Sequence, residues 1–160
     1  MATDTQNGSG AVNIPTFTIT RGDAYSHANP STVVGSGGTA PQTPITKGNT
    51  EVVQSGGTAV SPTIAGGTLA LAPGATVQGS ISFAAGSSGG LLFDDSGRPD
   101  TVVGFSEGSD FLSFAGENAS SAASVVASAV STFAGTLLSY PDGSSVFLLG
   151  VSQVDIGIFM

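Results

Sequence analysis

The chain contains no cysteine, few charges and no long apolar run. Disulfides and thiolate metal sites are therefore excluded throughout its 160 residues. Charged residues make up 9% of the chain, against about 25% in a typical soluble domain. The cations are three in number, namely Arg21, Lys47 and Arg98. Three scattered cations cannot form the basic patch that neutralises nucleic-acid phosphates, so we expect no nucleic-acid partner.

The apolar residues never run together for the roughly 20 positions that a membrane-spanning helix requires. We therefore expect no membrane insertion, and the net charge of −8 also disfavours anionic lipid surfaces. The first residues, MATDTQNGSGAVNIP, lack the basic region and apolar core of a classical signal peptide. Either the protein is cytoplasmic, or it is exported by a route that reads another signal.

The usual catalytic residue sets are missing as well. With His27 as its one histidine and no cysteine, the chain is expected to hold neither a Ser-His-Asp triad nor a Cys-His pair. It also lacks a phosphate-binding G-x-x-x-x-G-K-[ST] loop and a dinucleotide fingerprint. We therefore expect a protein that is not an enzyme. The tripeptide Arg21-Gly22-Asp23 matches an integrin-binding motif, but three residues match by chance often, and a plain turn is the simpler interpretation.

Glycine is abundant, at 24 residues, and it separates short apolar runs. Between Val52 and Phe114, runs of about four to six residues are broken by Gly-Gly, Pro-Gly, Ser-Gly and Asp-Ser-Gly. Such spacing is too short for helices and is typical of thin strands joined by tight turns. The ordinary hydrophobic content, 39%, argues against disorder.

An internal repeat organises this region. Residues 33–40 (VVGSGGTA) return as residues 52–59 (VVQSGGTA) with one substitution, Gln54 in place of Gly35. A third copy of Gly-Gly-Thr, at residues 66–68, follows the second at about half the spacing of the first two, and Pro-Gly-Ala-Thr-Val at 73–77 is a degenerate fourth. A period of about 10 or 20 residues predicts a parallel β-solenoid in which each coil buries its apolar side chains on the next.

The segment after the repeats has a different periodicity. Apolar residues recur at helical spacing over Asn118–Phe133, with Glu117-Asn118 as the start signal and Gly135 as the stop signal. This pattern predicts one amphipathic helix that covers the end of the solenoid. Pro141-Asp142-Gly143 then predicts a turn between two apolar strands, which form a closing hairpin.

Two resemblances to bacterial exoproteins follow from these motifs. Ser-Gly-Gly-Thr-Ala, Gly-Gly-Thr-Leu and Gly-Ala-Thr-Val, within residues 33–83, resemble the passenger repeats of AIDA-type autotransporter adhesins. Residues 100–114 are similar to the D-x-I-x-x-F-x-x-G-x-D-x-L-x-F segment that closes the β-rolls of RTX exoproteins, residues 137–151 resemble the hairpin that follows, and residues 155–160 resemble a type I secretion tail. The glycine- and aspartate-rich nonapeptide array of that family is absent here.

The resemblances imply an extracellular or cell-surface location in a bacterium and one-step type I secretion. The sequence pattern predicts three segments. Residues 1–31 form an N-terminal arm with an edge strand, residues 32–116 form the solenoid, and residues 117–160 form the helix, the hairpin and the candidate secretion tail. Because the chain begins with Met and carries such a tail, we expect a whole small protein rather than a fragment.

Acidic residues cluster between the repeats and the helix. Six of the eleven acids lie in the stretch from Asp94 to Glu117. Turn carboxylates beside glycine can hold a hard cation, paired carboxylates can hydrolyse glycosides, and turn aspartates can simply bond to loop backbone. The second interpretation is the weakest of the three. We take calcium as the candidate cofactor, with the candidate ligands Asp94, Asp95, Asp100, Glu107 and Asp110.

The function that we expect is structural. The N-terminal strand over Val12–Thr20, with Ile14, Phe17 and Ile19 as its assembly residues, has no evident partner strand in its own chain. Such a strand can add to the sheet edge of a second copy and give a head-to-tail homopolymer. We therefore expect a secreted structural or adhesive protein that builds filaments or matrix. The alternative is a calcium-stabilised module that binds polysaccharide or another surface.

Overall fold

The computed structural model describes residues 32–40, 42, 44–93, 99–114 and 117–159. In this part of the chain, short strands wind into successive coils, and the strands of one coil pair in parallel with those of the next. One α-helix follows the coils, and after it come three antiparallel strands whose last two form the closing hairpin. This arrangement confirms the predicted all-β parallel β-solenoid with a C-terminal helix and a closing hairpin.

Each of the first three coils contributes three strands. In chain order the strands are β1 (Thr32–Val34), β2 (Thr39–Ala40), β3 (Ile45–Thr46), β4 (Thr50–Val53), β5 (Thr58–Val60), β6 (Thr63–Ala65), β7 (Thr68–Leu71), β8 (Thr76–Gln78), β9 (Ile81–Phe83), β10 (Gly90–Phe93), β11 (Pro99–Val103) and β12 (Phe111–Phe114). The helix α1 (Ala119–Ala127), the strands β13 (Val130–Ser131), β14 (Gly135–Ser139) and β15 (Ser145–Leu149), and a 3-10 helix (Ile156–Ile158) complete the described elements.

These strands stack into three sheets, one along each side of the solenoid. The five-stranded sheet has the order β1-β4-β7-β10-β12, and the three-stranded sheet has the order β2-β5-β8. The seven-stranded sheet runs β13-β14-β15-β11-β9-β6-β3, so it contains both the first coil and the C-terminal hairpin. The hairpin is therefore an extension of the solenoid wall.

The strand register explains the sequence repeat. Val33 pairs with Val52 and Thr39 with Thr58, which are equivalent positions in the two copies of the longest match. Later coils differ in length from the first one. The coil from Thr50 to its register partner Thr68 is shorter, and the coil from Leu69 to its register partner Leu91 is longer. The shorter repeat spacing does not correspond to a coil, because residues 56–58 and 66–68 lie at two different corners of one coil, and the corner between β5 and β6 separates them. Two short repeats therefore make one coil.

The core is built from stacked columns of apolar side chains. Along the five-stranded sheet, alternate residues point into the solenoid, and each lies against its register partner in the next coil. The two inward columns are Val53-Leu71-Phe93-Phe114 and Glu51-Leu69-Leu91-Leu112, and all eight side chains are buried. Removing one such leucine side chain typically costs about 2–5 kcal/mol of stability.

The helix α1 is shorter than its sequence pattern predicts. It starts as expected after Asn118, whose side-chain oxygen accepts hydrogen bonds from the backbone N–H groups of Ser120 and Ser121 at 3.0 Å each. It ends at Ala127, so the predicted end at Phe133 is wrong. The apolar spacing continues beyond that point, but Val130 pairs with Leu137 in a β-ladder instead. This strand pairing outweighs a helical periodicity that depends on weak helix formers.

The predicted hairpin is present and joins the solenoid on one side. The strands β14 and β15 pair antiparallel through five residues each, and β15 pairs in parallel with β11. In the turn, the Asp142 carboxylate accepts hydrogen bonds from the Ser144 backbone N–H at 2.8 Å and from its hydroxyl at 2.6 Å. The turn chemistry is the one that the Pro-Asp-Gly sequence predicts.

An aromatic cluster closes the C-terminal end of the core. The Tyr140 ring lies 4.5 Å from that of Phe93 and 4.8 Å from that of Phe114, measured between centroids. Phe159 contacts the rings of Phe114 and Tyr140, and its backbone forms a β-bridge to Leu112 of β12. Burial, together with the charges of Glu117 and Asp142, raises the pKa of Tyr140 well above its ordinary value. Ile158 and Phe159, the last described residues, therefore pack into the fold.

Candidate functional site

The candidate calcium ligands are only partly within the described residues. Asp94 and Asp95 lie outside them, whereas Asp100, Glu107 and Asp110 lie within them. In the described ranges, no three acidic, histidine or cysteine side chains come close enough to hold a metal ion. Calcium binding stays a prediction.

Asp110 has a structural task in the fold. Its side chain is buried, and its two carboxylate oxygens accept hydrogen bonds from the backbone N–H groups of Gly89, at 3.0 Å, and Ser106, at 2.9 Å. Burial raises the pKa of Asp110, and these two hydrogen bonds oppose the rise. The carboxylate thus joins the turn before β12 to the corner before β10.

The other two described candidates, Asp100 and Glu107, do not form a three-carboxylate group with Asp110. Asp100 lies in β11 opposite Val146, and it is half-buried. Glu107 is exposed in the turn that follows β11. Glu117, the last acid of the cluster, is buried, and its Oε2 accepts a hydrogen bond from the Phe114 backbone N–H at 3.3 Å. Turn and cap formation therefore accounts for at least two of these carboxylates.

The predicted assembly residues Ile14, Phe17 and Ile19 lie outside the described residues, as does the whole N-terminal arm. The described residues nevertheless contain both edges of the seven-stranded sheet. The seven-stranded sheet ends at β3 on the first coil and at β13 on the C-terminal side. Within the described ranges nothing pairs with the outer side of either strand, and such edges are templates for further strands.

Exposed apolar side chains surround the C-terminal edge. Phe133 is fully exposed, at 107%, and Val130 of β13 is 55% exposed. Leu149, at the end of β15, is also exposed, and the carbonyl of Ala134, the residue after Phe133, accepts a hydrogen bond from the Gly150 backbone N–H at 2.8 Å. We call Val130, Phe133 and Leu149 the terminal apolar patch. Large apolar side chains grouped in this way mark interaction surfaces.

A second candidate site is a groove at one corner of the solenoid. It has a volume of about 370 Å³ and is lined by residues 48–50, 66–68 and 88–89 and by Phe111. These residues follow the corner where the seven-stranded sheet passes into the five-stranded sheet in successive coils. We call this depression the corner groove.

Unequal corner lengths create the corner groove. Two residues, Gly66 and Gly67, connect β6 to β7, whereas three residues connect β3 to β4 and six connect β9 to β10. The middle corner is therefore recessed between two that project further. A Cβ atom on Gly67 would lie 2.6 Å from the Thr46 carbonyl oxygen, so only glycine permits this close approach.

One buried carboxylate inside the core is unexpected from the sequence. Glu51 is 5% exposed, and its Oε1 has no hydrogen-bond partner. Its position in the inward column follows from strand alternation, since it lies two residues before the buried Val53. Burial raises the pKa of the Glu51 carboxyl above its ordinary value of 4.5. The alternation is a usable signal for this position, but the sequence alone does not show which face of β4 points inward.

No helix among the described residues is long and apolar enough to cross a membrane. Comparisons of the chain with protein-family models, with curated proteins and with solved structures found no match. Inferences about function therefore depend on the sequence motifs and on the geometry described above.

Proposed function

We propose that this protein is a secreted structural or adhesive protein whose copies stack end to end into filaments or matrix. The observation that carries the proposal is the polarity of the two free edges. The strands β3, β6, β9, β11 and β15 are mutually parallel, and two antiparallel steps lead from β15 through β14 to β13. As a result, β13 runs in the same direction as β3.

This polarity suits assembly by translation along the solenoid axis. A second copy placed beyond the C-terminal end presents its β3 parallel to β13, the same relation that β3 has to β6 within one chain. The contact joins two different surfaces, so it does not close and it propagates. The terminal apolar patch lies at this edge and supplies apolar area for burial.

The charge composition also favours self-association. With 9% charged residues, the chain has little like-charge repulsion per unit of surface, although the net charge of −8 slows association until salt screens it. Calcium, if bound near residues 94–117, would reduce that net charge. The extracellular bacterial location and type I export rest on the resemblance to adhesin repeats and RTX exoproteins, and fractionation of the producing cells tests them.

The assembly test compares two substitutions that add the same charge. Phe133→Asp places a carboxylate in the terminal apolar patch, and Ala85→Asp places one in an exposed turn on the solenoid wall. Sedimentation velocity at rising protein concentration should give large species for the parent chain and for Ala85→Asp, but a folded monomer for Phe133→Asp. A parent chain that stays monomeric in high salt with calcium contradicts the proposal.

A further inference from the structure

We propose that the outer face of the five-stranded sheet is a docking surface for the chain's own N-terminal arm, with residues 12–20 as the segment that covers it. The proposal goes beyond the self-assembly described above, because it involves neither the outer edge of β3 nor the terminal apolar patch. It gives Ile14, Phe17 and Ile19 a task within their own chain, in place of the assembly role that the sequence predicts.

The outward residues of this sheet are buried, unlike those of the other two sheets. Strand alternation places Val52, Ala70, Leu92 and Ser113 on the outer face, because their neighbours in each strand belong to the inward columns. Yet every residue of β7 and of β10 is buried. In β5, β6, β8 and β9, on the other two walls, the outward residues are half-buried or exposed. One wall of the solenoid is therefore covered on both faces.

The burial is nearly complete in the middle of the sheet. Ala70 is 2% exposed and Leu92 is 1% exposed, whereas Val33, in the first coil, is 37% exposed. Neither Ala70 nor Leu92 belongs to the apolar cluster that fills the interior of the solenoid. Continuous apolar runs such as Leu91-Leu92-Phe93 are typical of strands that are covered on both faces. Something outside the interior therefore lies on Leu92.

The described elements do not supply this cover. Apart from their neighbours in the sheet, these strands mainly contact β3, around a corner of the coil, and the 3-10 helix, whose Ile158 packs in the interior. In the adjacent outward column, Thr50 and Phe111 already have interaction partners, which agrees with an occupied face. The exposed fractions are those of a single chain, so the cover belongs to the same chain.

The sequence selects the covering segment. Outside the described ranges, the stretches longer than two residues are 1–31 and 94–98. Residues 94–98 read Asp-Asp-Ser-Gly-Arg and contain no apolar side chain to place on Leu92. Within residues 1–31, large apolar side chains concentrate in residues 12–20 (VNIPTFTIT), a segment that also contains no charge. Its burial against an apolar face therefore requires no desolvation of a charged group.

The length of the chain permits this placement. Residues 21–31 connect the segment to Thr32 at the start of β1, and these eleven residues reach roughly 36 Å when extended. Three strand spacings separate β1 from β10 in the sheet, or about 14 Å. The connection therefore allows residues 12–20 to reach Ala70 and Leu92.

The test measures the accessibility of a thiol in the full chain, which has no cysteine of its own. The thiol of Ala70→Cys should react with DTNB at least about tenfold more slowly than that of Thr76→Cys, an exposed position on the three-stranded sheet. Adding Phe17→Asp should raise the rate of Ala70→Cys several-fold, because an apolar face excludes a carboxylate. Asn7→Asp, which adds the same charge outside residues 12–20, should leave the rate unchanged.

Circular dichroism and thermal unfolding establish that each variant is folded. Leu92→Cys is a second probe of the same face, and Phe17→Ser is a milder change in the arm if Phe17→Asp does not fold. A rate that neither arm substitution raises in a folded chain, or that Asn7→Asp raises equally, would overturn the proposal. Protection that is lost on dilution would also overturn it, because the arm of a second copy would then cover the face.

Discussion

The first coil and the C-terminal end terminate the same stack of strands in different ways. The first coil consists of strands of two or three residues, β1 to β3, and the buried carboxylate of Glu51 lies in the next coil. The C-terminal end has a helix, a hairpin and a cluster of four aromatic rings. Among the described residues, side-chain packing is therefore concentrated at one end, and that end also exposes the terminal apolar patch. The C-terminal segment therefore both closes the core and exposes a surface that a second copy can contact.

The largest expected effect comes from opening the aromatic cluster. Phe114→Ala removes the ring that contacts both Tyr140 and Phe159, and it should cost about 3–5 kcal/mol of unfolding free energy. Ile45→Ala, in the edge strand β3, should cost less, near the lower limit of about 2 kcal/mol, because among the described residues this strand has a neighbour on one side only. Urea unfolding of both variants measures the difference. Equal losses would remove the contrast between the two ends.

Calcium would increase the difference in stability between the first coil and the C-terminal end, because its candidate ligands follow β10 and lie in the later part of the chain. If calcium binds the native state alone, it stabilises by RT ln(1 + [L]/Kd), or about 2.7 kcal/mol when calcium is at 100 times Kd. We expect millimolar calcium to raise the melting temperature and Asp95→Asn to reduce the rise. Magnesium at equal concentration is the control for ionic strength. A melting temperature that is indifferent to calcium and to chelator would refute calcium binding.

A smaller effect is expected from Glu51 in the second coil. Glu51→Leu continues the inward column of Leu69, Leu91 and Leu112, and it removes a buried carboxylate oxygen that has no partner. At neutral pH the substitution should stabilise the protein by about 1–3 kcal/mol. Glu107→Leu, at an exposed position, removes the same charge and should change stability by less than about 0.5 kcal/mol.

The pH dependence of this effect has a definite sign. Burial raises the pKa of Glu51, so the native state binds the proton more tightly than the unfolded state does. The stability contribution of Glu51 is therefore greatest below its ordinary pKa of 4.5, and it is lost as the pH rises through the raised value. The advantage of Glu51→Leu should grow with pH across this window. Chemical unfolding at a series of pH values measures it, and an advantage that is constant with pH would contradict the account.

Features that depend on local sequence patterns, namely the repeat and the hairpin turn, could be predicted from the sequence. The match between residues 33–40 and 52–59 corresponds to real register partners, and the Pro-Asp-Gly turn lies where its chemistry requires. The helix end was missed because Val130 and Phe133 continue the helical spacing although tertiary pairing assigns Val130 to a strand. Periodicity describes one segment at a time and contains no information on the partner strand.

The two candidate surfaces were less predictable for a related reason. The corner groove depends on the difference in length between neighbouring corners, and this difference is visible only after the register is known. The free edge of β13 requires the order of the seven-stranded sheet. The carboxylate cluster was visible in the sequence, but Asp110 and Glu117 are held by backbone N–H groups, a use that composition does not distinguish from metal binding.

The central claim, continuation of the seven-stranded sheet from copy to copy, is tested most directly by cysteine pairing. The chain has no cysteine, so a disulfide can form only between introduced residues. Thr46→Cys in β3 and Val130→Cys in β13 are exposed edge positions, and adjacent strands lie within disulfide range. Mixing the two variants under mild oxidation should give the mixed dimer, whereas Ala85→Cys mixed with Val130→Cys should not. Equal yields from the two mixtures, or no mixed dimer from the first, would contradict the account.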